Sequence, residues 1–438
     1  NDFKYRIRNL GGEVYHINSE SLEALKVIHD QWVFDFLFAH EEIGNNRTYK
    51  RDLDVGQWCS AKGIEFKEYR QTGVFRRLKN RDQRSKKWKN FYNSEVIPSP
   101  SKEMCVKIKV LESDRKEIND QKLVYQFKDH QNQSDEVQDV TETAAQVTLV
   151  DFLTNRGIGY SGGISSPLTA FIKGSRMSVH LAWGTISGRY VYRKTLEQKE
   201  RYIDHPEGGK WRRSLTSFQA RLHWRDHFIQ RLESEPQMEY KALNEAYENI
   251  NYDGTEEMLS AWKEGRTGFP MVDACIRCLL ATGFMNFRMR AMLTSFACHV
   301  LHISWKDIDH PMAKMYADYE PGIHLSQLQM QAGVVGINTI RVYSPTKQIK
   351  DHASECLFIK KWIPELRQFS PREIIAHEEE WLGDYPPHIV NYLERSKEMK
   401  SQLYSIKAQS STKEIAQKVY EKHGSRKSPS RKKKKSKK

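Results

Sequence analysis

The 438-residue chain lacks any run of about eighteen or more apolar residues, so no membrane-spanning helix and no membrane partner are expected. A basic segment leading into a short apolar core is also absent, which leaves no visible secretory signal. Cysteine is scarce and scattered, at Cys59, Cys105, Cys275, Cys278, Cys298 and Cys356, and only CIRC brings two close together. No second pair follows at zinc spacing, and PMVDACIRCLL has helical periodicity, so packing is the expected role and no metal site is expected. Such cysteine usage fits a reducing, cytoplasmic compartment. Acid is missing from the last fourteen residues, SRKSPSRKKKKSKK, which carry nine of the +14 net charge and leave the body at +5. This end is a solvated tail that either adds phosphate affinity or simply keeps the chain soluble. No internal repeat is evident, and because the chain opens on Asn1 rather than Met we expect its native start to lie upstream.

What is present points to a large globular protein. Hydrophobic residues make up 38% and aromatics 11% of the chain, whose length has room for two or three domains. Over residues 1–95, GGEVYHI and FDFLFAH read as buried strands, and LEALKVIHDQ and YKRDLDVGQWCSAKG as the helices between them. This is a βαβ pattern with a parallel sheet, incomplete for a doubly wound domain. Residues 96–150, with PSPSKEMCVKI and DHQNQSDEVQDVTET, lose apolar periodicity and read as an interdomain linker. From 151 to 400 the chain is helical and aromatic. Residues 401–438 read as a fading helix and the basic, disordered tail.

Four segments carry candidate chemistry. In AFIKGSRMSVHLAWGTIS, Gly174 permits a tight backbone, and Ser175, Arg176 and Ser178 offer donors where helical spacing resumes. That is either a phosphate site or an ordinary N-cap. In SFQARLHWRDHFIQRLESEP, Arg221, Trp224, Arg225 and Phe228 recur at three- and four-residue spacing. One face then offers a cation beside an indole for stacking on a base, or the helix is an aromatic core element. MNFRMRAMLTSFACHVLHISW reads as one long helix to Trp305, with Arg288 and Arg290 about 200° apart around it. In an apolar setting each guanidinium either snorkels to solvent or meets an acid or phosphate. Last, YADYEPGIHLSQLQMQAGVVGIN is too polar for a core helix and too particular for a linker.

The order of GSRMS, LAWGTIS, RLHW, GRTGFPMVDACIRCL, TGFM, FRMR, DYEPGIH and IRVYSPTKQ closely resembles the photolyase/cryptochrome family of flavoproteins. FAHEEIGNNRTYKRD and GVFRRLKNRD look like its Rossmann-like antenna-type domain. The resemblance implies an incomplete α/β antenna-type domain (1–95), the linker (96–150), a large all-α FAD-binding domain (151–400) and the tail (401–438). It implies FAD as cofactor, with room for a second antenna chromophore of unspecified identity. Its activity would be light-driven splitting of pyrimidine dimers in UV-damaged DNA, by a monomeric, bacterial-type cytoplasmic enzyme; the alternative is a blue-light photoreceptor without repair. By the same resemblance, Tyr160, Ser175, Arg176, Met177 and Ser178 hold the diphosphate, Phe218 lines the FAD cavity, and Asp318, Tyr319 and Glu320 contact the flavin and adenine ends. Arg290 pairs with Asp318 beside the isoalloxazine. Trp224, Arg225, Arg288 and Gln348 face DNA. Trp224, Arg221 and His324 carry the repair chemistry, and Trp305 carries electron transfer.

Several positions depart from the family pattern. Arg221 stands where cyclobutane-dimer photolyases have glutamate, Phe287 replaces an asparagine, Ala291 a methionine, and Met330 a pocket tryptophan. His324 falls where an asparagine usually faces flavin N5, and either tunes the flavin or is a structural, hydrogen-bonded residue. Leu328 replaces the innermost tryptophan of the electron chain, Trp305 matches the middle one, and Tyr252 falls near the outer one. The cysteine cluster of the iron–sulfur branch has no counterpart. These departures place the chain in a divergent bacterial-type branch.

Overall fold

The structure, a computed structural model, describes residues 2–12, 14, 17, 19–101 and 136–424. Its N-terminal part is built on β1 (Phe36–His40) and β2 (Glu65–Tyr69), paired in parallel with Phe36 opposite Glu65, behind a first helix α1 (Asp2–Asn9). The helices α2 (Ser21–Gln31) and α3 (Asn46–Lys62) cover one sheet face. Asn45 caps α3 by accepting from Thr48 N, and Gly63 ends it at φ 74°. Alternation along the strands sends Leu37 and Phe66 toward Val55, Cys59 and Ile64. Phe36 and Phe38 turn outward, 49% and 60% exposed. The strands are therefore not buried as expected, because only one face is covered. Of GGEVYHI, Gly11 lies in a turn, Gly12, Val14 and Ile17 belong to no element, and the rest lies outside the described residues. The strand beside β1 is EFKEY, which its charges hid.

The helical body is organised by α8 (Gly208–Ser234), about 40 Å long at 1.5 Å per residue. Around it stand α4 (Arg84–Asn93), α5 (Glu142–Thr154), α6 (Ser178–Trp183), α7 (Gly188–Arg201), α9 (Pro270–Thr282), α10 (Phe287–His299), α11 (Trp305–Met315), α12 (Pro321–Gln331) and α13 (Pro345–His352). The pair α14 (Tyr392–Ala408) and α15 (Ser410–His423) closes the body, with shorter helices between. Asp226, fully buried on α8, accepts from Gly73 N (2.9 Å), Trp88 Nε1 (2.9 Å) and Tyr92 OH (2.7 Å). Gln230, one turn on, exchanges bonds with Phe75 N and O at 2.8 and 3.0 Å. Residues 73–93 thus pack with the helical body, ahead of the boundary expected at 95.

Four further expectations are corrected. The linker expected to reach residue 150 gives way to α5 at Glu142, where Thr141 caps Ala144 N; its central part lies outside the described residues. The FRMR helix ends at His299, the chain turns through His302 at φ 53°, and Ser304 caps a new helix from Trp305. The polar stretch after Pro321 is helical, because its buried amides find backbone partners: Gln329 accepts from Leu243 N and donates to Met238 O and Lys241 O, each at 2.8 Å. Residues 401–423, expected as a fading helix, are packed helix to His423, with Leu403 and Val419 buried; 425–438 lie outside the described residues.

Candidate functional site

The N-terminal turn of α10 and the loop 316–320 meet through one ion pair. Arg290 Nη2 lies 2.9 Å from both oxygens of Asp318, while its Nε donates to Met285 O at 2.6 Å. Its guanidinium rests over the Tyr316 ring, 4.1 Å from the centroid. Burial works against the cation, yet the Asp318 charge overcomes it and holds the Arg290 pKa above its ordinary value. The tyrosine hydroxyl is pushed strongly up by burial. Arg288, two residues away, is half-buried on another side of α10.

The GSRMS loop approaches the same pair. Arg176 is held at φ 58°, and its guanidinium stacks on Phe284 (3.8 Å) and Phe171 (5.1 Å). Burial lowers its pKa to about 10, with the Asp318 charge opposing. Arg156 ties this loop by bonding the carbonyls of Gly174 and Ser175. Ser175 Oγ accepts from Met177 N at 3.4 Å, Met177 is buried, and Ser178 opens α6. Tyr160 and Phe218 pack edge-to-face with Phe152, so Phe218 belongs to an aromatic cluster rather than an open wall. Burial raises the Tyr160 pKa to about 12, against the pull of neighbouring Arg221, which is otherwise exposed on α8.

Other expected residues separate into inward and outward groups. Arg225, expected to face DNA, is turned inward: it bonds Asp226 Oδ1 (3.1 Å), Glu320 Oε2 (3.3 Å) and Leu181 O (3.1 Å). Those bonds use three of its five N–H donors and hold the guanidinium toward the protein interior. Burial raises the Glu320 pKa and Arg225 lowers it. His324 Nε2 lies 2.8 Å from Asp309 Oδ1, and its ring packs against Tyr319 (5.3 Å) and Tyr316 (6.0 Å). Asp309 was not anticipated; it is the acid that holds one ring nitrogen of His324. Trp224 is 40% and Phe287 50% exposed, both on the outer surface. Trp305 is buried in the large core, against which Tyr252 packs.

A cofactor with many heteroatoms fits these residues. Buried atoms without a hydrogen-bond partner include Arg176 Nη1, Asn286 Oδ1, Arg288 Nε, Tyr316 OH and Gln348 Oε1. Such atoms are rare in folded proteins unless a ligand or water meets them. Sequence inspection missed a cavity of about 660 Å³ lined by Leu279, Leu280, Gly283, Lys314, Tyr316 and Ala317. Among the described residues no cluster of three or more metal-ligating side chains occurs, and no helix is long and apolar enough to cross a membrane.

Comparison with known proteins agrees with this geometry. Residues 218–405 match the family model described as the FAD binding domain of DNA photolyase. The chain is 28% identical over 271 residues to the deoxyribodipyrimidine photo-lyase of Alkalihalophilus pseudofirmus, covering 59% of this chain and 54% of that one. It thus spans about half the length of the curated relatives it matches. In fold it is similar to a bacterial class III photolyase from Agrobacterium tumefaciens (TM-score 0.79, 21% identity, covering 93% and 87% of the two chains). A Synechocystis cryptochrome is also similar (TM-score 0.73, 19% identity, covering 91% and 86%). Fold and site together define a helical FAD-binding protein with a small α/β part. Over the matched residues 218–405, less than half of the chain, it is similar to the photolyase/cryptochrome family.

Proposed function

We propose that the protein is a light-driven, FAD-dependent DNA photolyase that splits UV-induced pyrimidine dimers. The carrying observation is the buried Arg290–Asp318 pair, flanked by the unpartnered polar atoms of Arg176, Asn286 and Tyr316. FAD, when bound, supplies light absorption and one-electron donation to the dimer. The chain's own residues do the rest. Arg176 and the Ser175–Ser178 loop offer donors to the diphosphate, with Tyr160 behind them. Arg290 sets a fixed positive charge that favours the reduced anionic form, and Asp318 keeps that charge from being isolated. Asp318, Tyr319 and Glu320 form the rim of the same cradle. Trp224 and Phe287 present flat apolar surfaces to an extruded base, which a duplex must release before its atoms can react. Arg288 and Gln348 contribute polar atoms toward the phosphodiester backbone. The same proposal takes Trp305 as a relay in photoreduction, and the protein as a cytoplasmic monomer with UV-damaged DNA as partner.

A blue-light photoreceptor of the cryptochrome type is the second reading. It is favoured by Arg221, which replaces a carboxylate in the pocket, and by His324, whose Nε2 is taken by Asp309. The test is an absorption spectrum followed by blue-light treatment of oligonucleotides carrying a defined dimer. Flavin bands with repair support the enzyme, and loss of repair without loss of FAD in Arg221→Ala would make Arg221 a substrate residue. Flavin bands without repair of either a cyclobutane or a (6-4) dimer refute the enzyme and leave the photoreceptor.

A further inference from the structure

A second cluster, away from the Arg290–Asp318 pair, is made almost wholly of donors. His223, His227 and Arg231 follow at four-residue spacing, so they form one stripe on α8. Arg81 and Arg84 face them from the start of α4 and the turn before it. Arg84 Nη1 meets His223 Nε2 at 3.4 Å, and Arg81 Nη2 meets His227 Nδ1 at 3.1 Å. Arg84 and Arg231 are only 1% and 5% exposed. Even so, Arg84 Nε and both Nε and Nη1 of Arg231 are buried without a hydrogen-bond partner.

Three acids of α8 and its end are committed elsewhere. Asp226 is saturated by Gly73, Trp88, Tyr92 and Arg225. Glu233 accepts from Arg77 N and Gln230. Glu235 pairs with Lys422 and His423. Among the described residues no carboxylate bonds Arg84 or Arg231. A buried guanidinium without an anion is strongly disfavoured by desolvation, which is the unmet demand of this cluster.

The histidines sharpen the chemistry. Each uses one nitrogen to accept from an arginine, which assigns the proton of a neutral ring to the other: His223 Nδ1 and His227 Nε2 are therefore donors. Burial lowers the His223 pKa to about 4 and the His227 pKa to about 2, helped by Arg84 in the first case and Arg231 in the second, so both rings are neutral near pH 7. Burial likewise brings Arg84 and Arg231 down to about 10, with Arg81 adding to the effect. Trp224 packs on His227 at 5.3 Å, placing the cluster beside the half-exposed indole.

We propose that His223, His227 and Arg231, with Arg84 opposite, bind one tetrahedral oxyanion, a phosphate group, at the seam between α4 and α8. The guanidinium fork and paired ring N–H groups match phosphate oxygens. The group is either a DNA backbone phosphate beside Trp224 or free phosphate, and the site itself does not depend on repair activity.

The test is calorimetric titration of the flavin-loaded protein with inorganic phosphate in phosphate-free buffer, for the native chain and for Arg231→Gln and Arg84→Gln. One saturable site, weakened roughly ten- to a hundredfold in Arg231→Gln, is expected from the loss of charged hydrogen bonds. Visible flavin absorbance should not change in either variant, which separates this site from the cofactor cradle. Should a variant fail to fold, a crystal of the native protein soaked in selenate reads the site directly by an anomalous peak between Arg84 and Arg231. Absence of saturable phosphate binding, or of that peak, overturns the proposal. Competition of phosphate with a single-stranded oligonucleotide, and weaker oligonucleotide binding by Arg231→Gln, assign the site to a DNA phosphate. Phosphate binding that leaves oligonucleotide affinity untouched assigns it to the free anion.

Discussion

Replacing Asp318 by Ala removes both carboxylate oxygens that Arg290 Nη2 holds at 2.9 Å. The guanidinium keeps one bond, to Met285 O, and the face of Tyr316. Removal of one member of a buried pair costs about 3–5 kcal/mol, because the survivor stays desolvated. The Arg290 side chain retains 24% exposure, which lets water recover part of this, so the lower end, about 3 kcal/mol, is expected. Replacing both partners, as Arg290→Met with Asp318→Leu, should cost less than Asp318→Ala alone, since no unpaired charge remains. Urea unfolding of flavin-free protein, followed by far-UV circular dichroism, measures the cycle. Flavin per chain, read from the visible band, should fall sharply in Asp318→Ala. A single-mutant cost under about 0.5 kcal/mol, within the range of an exposed pair, would refute the energetic reasoning. Normal flavin stoichiometry in Asp318→Ala would refute the placement of the cofactor.

The remaining expectations concern other parts of the molecule. His299 is buried, bonded to Ser295 Oγ and Ala332 O at 3.0 Å each, and burial lowers its pKa to about 4. The folded state therefore binds fewer protons than the unfolded chain, and this contribution is present above pH ~6.5 and lost as pH falls toward 4; urea midpoints across that window should decline, less steeply in His299→Gln, and a flat profile would sink the idea. Gly268 sits at φ 79°, and a Cβ there would lie 2.0 Å from Pro387 O. Gly268→Ala should cost several kcal/mol by order of magnitude, visible as a lowered melting temperature. If Arg288 contacts DNA phosphate, Arg288→Gln should weaken oligonucleotide binding for all sequences and reduce the slope of log K against log salt by about 1; an unchanged slope removes Arg288 from the interface.

Much of the helical architecture follows from local pattern. Pro270 at the first position, the apolar spacing through Leu279, and Gly283 in the left-handed region bound α9 with little tertiary help. Segment order alone carried the family resemblance, and the motif pieces include both Arg290 and Asp318. Local pattern failed where distant partners decide. α12 is helical because Gln329 finds carbonyls at Met238 and Lys241, residues some ninety positions away that no periodicity reveals. Arg225 had a surface-like sequence context, yet Glu320 from the loop 316–320 pairs with it inside the protein. Asp309 captured His324 by the same route, and burial of Leu403 and Val419 firms a stretch that local pattern read as a fading helix. The sequence by itself determined where helices can begin and end, since caps, glycines and apolar spacing act within a few residues. Only tertiary structure decided which charges are buried and with whom, because desolvation and pairing depend on side chains brought together from opposite ends of the chain.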